Sequence, residues 1–171
     1  YLDSVGCRLN QSEIEAYARQ FHAAGHILAP TAQDADLVVV NTCAVTEAAA
    51  SDSRQKIRQA ARAGAQKIVV TGCWSTLNPG QAAALQGVGQ VVPNAVKDRL
   101  VLDVLQAPVE GFDLEPLRRM PVPGVRQRTR AFIKVQDGCN NRCTFCITSV
   151  ARGAARSRSI PEVLAEVGGL L

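Results

Sequence analysis

The sequence predicts an α/β protein with a parallel sheet and helices on both faces, of the flavodoxin or Rossmann kind. Two observations predict this class. Short apolar runs alternate with longer segments of helical character along residues 1–106, and runs such as residues 37–40 show no polar alternation, which is typical of strands buried on both faces. With 47% hydrophobic and 20% charged residues, a chain of 171 residues can form one compact core and the beginning of another domain.

Two strand and helix units open the chain. In order, they are a strand at residues 1–6, a helix at 12–24, a strand at 37–41 and a helix at 47–63. Gly25 and Gly64 stand just past the two helices, where glycine commonly ends a helix because it adopts the left-handed conformation without strain. The second strand is apolar between Asp36 and Thr42, which favours burial in the middle of the sheet.

Two further units complete a first domain that we expect to cover residues 1–106. They are a strand at residues 67–71, a helix at 80–85, a strand at 91–92 and a helix at 98–106. The strand at 67–71 repeats the buried pattern, and Pro79 favours a helix start. Successive units of this length predict parallel pairing.

The composition changes at Ala107. Four prolines and two glycines follow within residues 107–129 without any periodicity, so this segment is predicted to be an interdomain linker. Next we expect a strand at residues 131–135, an irregular loop at 138–159 and a helix at 161–171. Ser159 is the predicted cap of that helix. Residues 130–171 therefore form only the first βα unit of a second domain, which cannot close a sheet or barrel by itself.

The formal charge of +4 hides two parts of opposite sign. Residues 118–158 contain ten Lys and Arg against Asp137 alone, a net charge of +9, whereas the rest of the chain carries −5. Because the arginine fork suits phosphate, this stretch is either a footprint for nucleic acid or a solvated arginine-rich linker. The apolar runs fall far short of the roughly 18 residues of a membrane span, and no signal segment opens the chain. We therefore expect a soluble, cytoplasmic protein without a membrane partner.

Three of the six cysteines lie within eight residues and are called the compact set: Cys139, Cys143 and Cys146. An odd number cannot pair off as disulfides, which favours a metal centre. Structural zinc normally takes four ligands, so zinc would need a ligand from elsewhere in the chain. An iron–sulfur cube can be held by three thiolates, leaving one iron open for an exogenous ligand. Unrelated cysteines are the simplest alternative.

The other three cysteines are called the dispersed set: Cys7, Cys43 and Cys73. Each follows a predicted parallel strand, and the ligand crevice of an open α/β sheet lies at the carboxyl ends of its strands. Three thiols on that rim can therefore share one ligand. Gly6 and Gly72 precede two of them and allow close approach of the backbone to a bulky inorganic group. Cysteines also pack in cores, so ordinary packing is the alternative interpretation.

Five motifs surround these cysteines. They are Gly-Cys-Arg-Leu-Asn-Gln-Ser-Glu at residues 6–13, Asn-Thr-Cys-Ala-Val-Thr at 41–46, Ser-Arg-Gln-Lys-Ile-Arg at 53–58, Lys-Ile-Val-Val-Thr-Gly-Cys at 67–73 and Gly-Cys-Asn-Asn-Arg-Cys-Thr-Phe-Cys at 138–146. Together they resemble the methylthiotransferase family of radical S-adenosylmethionine enzymes. The residues after Cys7 are most similar to those of the members that modify threonylcarbamoyladenosine in tRNA, next to the anticodon.

The resemblance implies two 4Fe-4S clusters. The dispersed set would hold an auxiliary cluster, and the compact set a second cluster whose open iron binds S-adenosylmethionine. The implied reaction is reductive cleavage of S-adenosylmethionine to a deoxyadenosyl radical that abstracts hydrogen, followed by sulfur delivery at the auxiliary cluster, with a second S-adenosylmethionine as methyl donor. A tRNA substrate and a reducing electron donor are the implied partners. Phe145 is implied to pack beside the cofactor, with ordinary core packing as the alternative.

Several alternatives stay open. The substrate of the same chemistry could be isopentenyladenosine in tRNA or a ribosomal protein, and a noncatalytic metal-cluster module that binds RNA is a third possibility. Family members usually carry Ile-Pro where Ile147 is followed by Thr148 and Ser149, which leaves the loop near the compact set open. Members also continue with the rest of a partial β/α barrel and an RNA-binding domain, so we expect this chain alone to be inactive.

Overall fold

The computed structural model of the chain describes residues 1–117 and 131–170. Its first part is a parallel four-stranded sheet in the order β1-β2-β3-β4, which confirms the predicted fold class. The strands are β1 (Leu2–Ser4), β2 (Leu37–Thr42), β3 (Lys67–Gly72) and β4 (Val88–Val92). The helices of this part are α1 (Arg8–Ala23), α2 (Glu47–Arg62), α3 (Cys73–Leu77), α4 (Pro79–Ala83) and α5 (Leu100–Leu105).

Helices cover both faces of the sheet, as predicted. On one face, Tyr17 of α1 and Leu100 of α5 pack with Val39 of β2. On the other face, Ile57 of α2 and Trp74 of α3 pack with the neighbouring valines of the same strand. Successive residues of a strand point to opposite faces, so both sides of β2 and β3 are apolar. This double burial explains the continuous apolar runs in the sequence.

The boundaries differ from the predictions where polar residues continue an element. Thr42 and Gly72 are still paired in register, so β2 and β3 each extend one residue further than expected. The predicted helix at residues 80–85 forms as α4, with Pro79 at its start and its end at Ala83, and the additional helix α3 comes before it, directly after β3. Gly72 has φ +96°, which turns the chain sharply enough for α3 to begin at Cys73. The predicted helix at 98–106 divides into a 3₁₀ turn (Lys97–Arg99) and α5.

The predicted strand at residues 131–135 is wrong. That segment is irregular, and the strands that do form are β5 (Gln136–Asp137) and β6 (Arg156–Ser157), which pair antiparallel. A strand needs a pairing partner, and in the described part of the chain the partner comes from the far end of the same loop. The short helix α6 (Thr148–Arg152) interrupts what was expected to be irregular loop.

The last helix, α7 (Ile160–Gly168), begins as predicted. Ser159 accepts a hydrogen bond from the backbone of Glu162, and the Glu162 side chain accepts one from the backbone of Ser159. Residues 118–129 of the predicted linker at 107–129 lie outside the described residues. Among the helices at 1–117 and 131–170, none has the length and apolar character needed to cross a membrane.

Candidate functional site

The sheet brings the dispersed set to one rim. Thr42 and Gly72 are paired in register at the ends of β2 and β3, so Cys43 and Cys73 follow at the same level. On the other side of β2, the backbone N–H of Val5 donates to the Asn41 carbonyl at 2.9 Å, and Cys7 comes two residues later. The three cysteines therefore stand at the carboxyl ends of three neighbouring parallel strands, where α/β sheets bind their ligands.

Two glycines allow this rim to form. Gly6 has φ +94°, and a methyl group built on it would overlap Cys43 Sγ. Gly72 has φ +96°, and a methyl group there would overlap the Thr42 carbonyl oxygen. Both positions thus require glycine for conformation and for space. The backbone just before Cys7 consequently lies against the Cys43 thiol.

The three thiols of the dispersed set differ in exposure. Cys7 is exposed and its Sγ donates to Asn10 Oδ1 at 3.6 Å, whereas Cys43 and Cys73 are buried. Asn94 Nδ2 lies 3.7 Å from Cys73 Sγ. Burial raises the pKa of the Cys73 thiol, while the charge of Arg152 and hydrogen bonds from Asn94 and Arg152 oppose that rise.

Asn10 fixes the geometry of the rim. This side chain is fully buried, and its Nδ2 donates to the Val5 carbonyl at 2.8 Å and to the Thr42 carbonyl at 3.1 Å. It therefore ties together the chain ends that leave β1 and β2. Two hydrogen bonds from this one buried amide, each to a backbone carbonyl, hold the segment that carries Cys7 against the segment that carries Cys43.

The compact set lies on the loop between β5 and α6. The backbone N–H of Cys139 donates to the Gly153 carbonyl at 3.0 Å, which closes the base of the loop, and the N–H of Cys146 donates to the Cys143 carbonyl at 3.1 Å. Hydrogen bonds from Thr148 lower the pKa of the Cys146 thiol. Cys143 is exposed and the other two are half-buried. The loop thus presents its thiols toward solvent.

Phe145 is 91% exposed. It therefore fills no core in the part of the chain that the structure describes, and that alternative interpretation is wrong. Its predicted place beside a cofactor stays a prediction.

Neither set is arranged as a finished metal site. Within residues 1–117 and 131–170, no three His, Cys, Asp or Glu side chains converge on one point. The residues nevertheless fit an iron–sulfur cluster in their donor chemistry, because each set offers three free thiols and glycine backbone beside them. The assignment of the six cysteines as ligands stays a prediction.

A buried charge network lies behind the dispersed set, and the sequence did not reveal it. We define it by four side chains that are each at most 4% exposed: Glu13, Lys97, Asp137 and Arg152. The Lys97 ammonium lies 2.6 Å from Glu13 Oε1 and 2.8 Å from Asp137 Oδ2. Arg152 Nη1 donates to Glu13 Oε1 at 2.8 Å and to Asp137 Oδ1 at 2.9 Å. The two positive and two negative charges thus offset one another in the interior of the protein.

Opposite charges decide the ionisation of the network. Burial alone would raise the pKa of the Glu13 carboxyl, but Lys97 and Arg152 outweigh burial and hold it below its ordinary value. The same two cations lower the pKa of Asp137 against its burial. The two carboxylates raise the pKa of Arg152. The two carboxylates and Arg152 are therefore charged at neutral pH.

The network joins the two halves of the site. Glu13 belongs to α1 and Lys97 to the turn before α5, whereas Arg152 belongs to α6 and Asp137 stands two residues before Cys139. Arg152 Nη2 also donates to Asn10 Oδ1 at 2.7 Å, next to Cys7. The base of the loop with the compact set is therefore anchored on the rim with the dispersed set.

Counting charges along the sequence misjudged the basic stretch. Its local net charge is +9, but three of its five described cations are paired with acids from other parts of the chain. Lys134 pairs with Asp98, and Arg158 pairs with Glu115 and Glu166. Five arginines of the stretch lie outside the described residues: Arg118, Arg119, Arg126, Arg128 and Arg130. The described part of the stretch is therefore much less basic than its composition indicates.

Comparison with known proteins gives consistent matches. Residues 1–92 match the family model described as uncharacterized protein family UPF0004. The chain is 36% identical to a threonylcarbamoyladenosine tRNA methylthiotransferase MtaB of Bacillus subtilis over 98% of the chain and 40% of that protein. A protein of the same name from Aquifex aeolicus is 35% identical over 96% of the chain and 43% of its own length.

A second kind of relative matches equally well. The ribosomal protein uS12 methylthiotransferase RimO of Methylococcus capsulatus is 37% identical over 98% of the chain and 38% of that protein. The chain thus spans about two fifths of the length of these curated relatives.

Proposed function

The chain belongs to the UPF0004 family and is a methylthiotransferase family member, and from this premise we propose that it acts in tRNA modification. The proposed reaction inserts a methylthio group at carbon 2 of threonylcarbamoyladenosine, next to the anticodon. The proposed partners are tRNA and a reducing electron donor, and the proposed compartment is the cytoplasm, where thiols stay reduced. The activity is that of the whole protein to which the relatives correspond.

One observation carries the proposal. Three cysteines stand on the ligand rim of the sheet, and hydrogen bonds from Arg152 to Asn10 and from Asn94 to the Ala151 carbonyl hold the end of the loop with the other three against that rim. Three thiolates leave one iron of a cube open for an added ligand. When bound, two such clusters with S-adenosylmethionine supply radical generation and sulfur insertion. Radical generation at the compact set and sulfur insertion at the dispersed set would therefore occur at two neighbouring sites of the same chain.

The residues of the chain prepare these places. In the dispersed set, Cys43 and Cys73 are buried while Cys7 is exposed, so a group held there is shielded from water on two sides and open on the third. Gly6 leaves space beside Cys43 that any side chain would fill. In the compact set, the bond from Cys139 N–H to Gly153 keeps the loop base closed while the thiols face outward.

The choice of tRNA as substrate rests on the motifs. Identities of 36% and 37% do not separate the tRNA enzyme from the ribosomal protein enzyme. The residues Arg8, Leu9 and Asn10 after Cys7 resemble the tRNA enzymes, and Asn10 has a structural task in this rim, described above. Methylthiolation of ribosomal protein uS12 is the second candidate because of the relative that matches equally well.

The proposal is tested by mass spectrometry on two substrates. The protein is purified without oxygen, reconstituted with iron and sulfide, and supplied with S-adenosylmethionine, a reductant and either tRNA or ribosomes. We expect a methylthio group on threonylcarbamoyladenosine, about eight irons per chain on a basis of four per cube, and about four when the dispersed set is changed to serine. Modification of uS12 with unmodified tRNA would establish the second candidate instead. Unmodified tRNA and uS12 with both clusters loaded would refute both.

A further inference from the structure

Arg152 lies behind the dispersed set although it comes from the other half of the chain. Its Nη2 donates to Asn10 Oδ1 at 2.7 Å, and the same oxygen accepts a hydrogen bond from Cys7 Sγ. Its positive charge also opposes the rise in the pKa of the Cys73 thiol that burial causes. One buried cation therefore stands close to two of the three predicted ligands.

From this geometry we propose that Arg152 is a positioning residue that holds Asn10 beside Cys7 and, through its buried charge, makes the auxiliary cluster easier to reduce. The inference rests on the proposed function, since it requires a cluster at the dispersed set. One-electron reduction adds one negative charge to a cluster, and a fixed cation next to its ligands stabilises that charge. Hydrogen bonds to ligand sulfurs act in the same direction.

The position of Arg152 is fixed by the buried charge network. Its side chain is 4% exposed, and its Nη1 is held by the carboxylates of Glu13 and Asp137. Lys97 offsets part of the negative charge of those carboxylates, so the network as a whole is neutral. Arg152 is the member that also bonds to Asn10, the side chain beside the Cys7 thiol. Of the charges in the network, the positive charge of Arg152 is therefore the one that lies next to a cluster at the rim.

Asn94 holds α6 in place next to this contact. Its Nδ2 donates to the Ala151 carbonyl at 2.6 Å and lies 3.7 Å from Cys73 Sγ. The residue before Arg152 is thus tied to the same side chain that approaches the thiol. One side chain therefore bonds both to α6 and to the Cys73 thiol, so a movement of α6 would change the contact at that thiol.

The test measures the midpoint potential of the auxiliary cluster alone. The full chain is prepared with the compact set changed to alanine, so that the dispersed set holds the remaining cluster, and is titrated with dithionite under EPR. The cluster takes up one electron and dithionite is oxidised. At a fixed potential, Arg152→Gln is expected to lower the ratio of reduced to oxidised cluster about tenfold, which is about 59 mV for one electron. Arg152→Lys keeps the charge and is expected to retain most of the wild-type ratio.

Matched variants separate charge from loosened structure. Arg158→Gln breaks the ion pairs with Glu166 and Glu115 without touching the dispersed set, and its ratio is expected to equal that of the wild type. Glu13→Gln disturbs the same network but removes a negative charge, so its ratio is expected to stay the same or rise. Loss of structure would lower the ratio in both network variants.

Each result decides a different statement. An unchanged ratio in Arg152→Gln, or an equal decrease in Glu13→Gln, would overturn the inference while leaving the proposed function intact. If Arg152→Gln does not hold iron, the charge-balanced double variant Glu13→Gln/Arg152→Gln is compared with Glu13→Gln, and the same tenfold decrease is expected. Absence of iron from the alanine background itself would refute the cluster assignment and with it the proposed function.

Discussion

Removing Lys97 from the buried charge network should destabilise the fold strongly. Its ammonium is completely buried and lies within 2.8 Å of two carboxylates. In Lys97→Met, a side chain of similar shape replaces the cation, so the four-residue network keeps a net charge of −1. Glu13 is left with Arg152, and Asp137 is left with Arg152 and the exposed Arg156 at 3.4 Å. Breaking a buried ion pair from one side costs about 3–5 kcal/mol.

The same substitution at an exposed pair is the control. Lys56 lies 2.8 Å from Asp3, with side chains 36% and 20% exposed, and such pairs contribute about 0–1 kcal/mol. Urea unfolding of the iron-free chain at pH 7 is monitored by the fluorescence of the single, buried Trp74. At about 2 kcal/mol per molar urea, the midpoint should fall by about 2 M in Lys97→Met and by less than about 0.5 M in Lys56→Met.

A double variant checks the electrostatic reason. Glu13→Gln/Lys97→Met removes one charge of each sign, so it should cost at least about 1 kcal/mol less than the sum of the two single variants. Equal losses in Lys97→Met and Lys56→Met, or strict additivity in the double variant, would show that the network is not the source of the stability.

Three further results follow from the structure. Gly6→Ala should lose iron binding at the dispersed set, because its methyl group would overlap Cys43 Sγ. Gly25 has a similar positive φ but open space around it, so Gly25→Ala should bind iron normally. Equal iron contents in the two variants would contradict this account. Acidification should lower the urea midpoint as the pH falls below about 4. The two carboxylates of the buried charge network have depressed pKa values in the folded state, so their stabilising contribution is lost as they become protonated. A midpoint that does not depend on pH would argue against this role. Ser159→Ala should cost about 1 kcal/mol at the start of α7, measured as faster hydrogen exchange in its first turn, and unchanged exchange would mean that the cap is dispensable.

Local signals in the sequence predicted the elements that depend on local physics. Residues 37–40 of β2 are all apolar because both faces of the strand are covered, and this pattern is visible in the sequence without knowledge of the neighbouring strands. Ser159 with Glu162 three residues later is likewise a local cap signal. Residues 131–135 show the limit of this reasoning, because a β-rich composition does not provide a pairing partner.

The position of the dispersed set was predictable for a topological reason. Once strands are parallel, whatever follows each strand must stand at the same edge of the sheet, so Cys7, Cys43 and Cys73 share one rim although 36 and 30 residues separate them. The rule gives the edge but not the direction of a side chain. It therefore could not show that one thiol is exposed while two are buried.

The buried charge network could not be predicted in the same way, because its partners are far apart in sequence. Glu13 and Arg152 are separated by 139 residues, and a Glu on a helix is ordinarily expected to face solvent. A faint signal was available, since Asn10 and Tyr17 lie three residues before and four after Glu13, on the same helix face, and both are buried. A polar residue inside an apolar stripe indicates a buried partner without identifying it.

The same network explains why charge counted along a chain is a weak guide to its surface. The basic stretch has one acid of its own, yet its described cations Lys134, Arg152 and Arg158 are all paired with acids of the first domain, the segment after it or α7. These charges are therefore used in ion pairs that hold the loop of the compact set against the sheet, and they are less available to bind phosphate. Arg142 differs, because it is exposed on that loop between two predicted ligands. A nucleic acid that reaches the compact set would contact this exposed cation. The buried Arg152, ten residues later, bonds instead to Asn10 at the rim of the dispersed set.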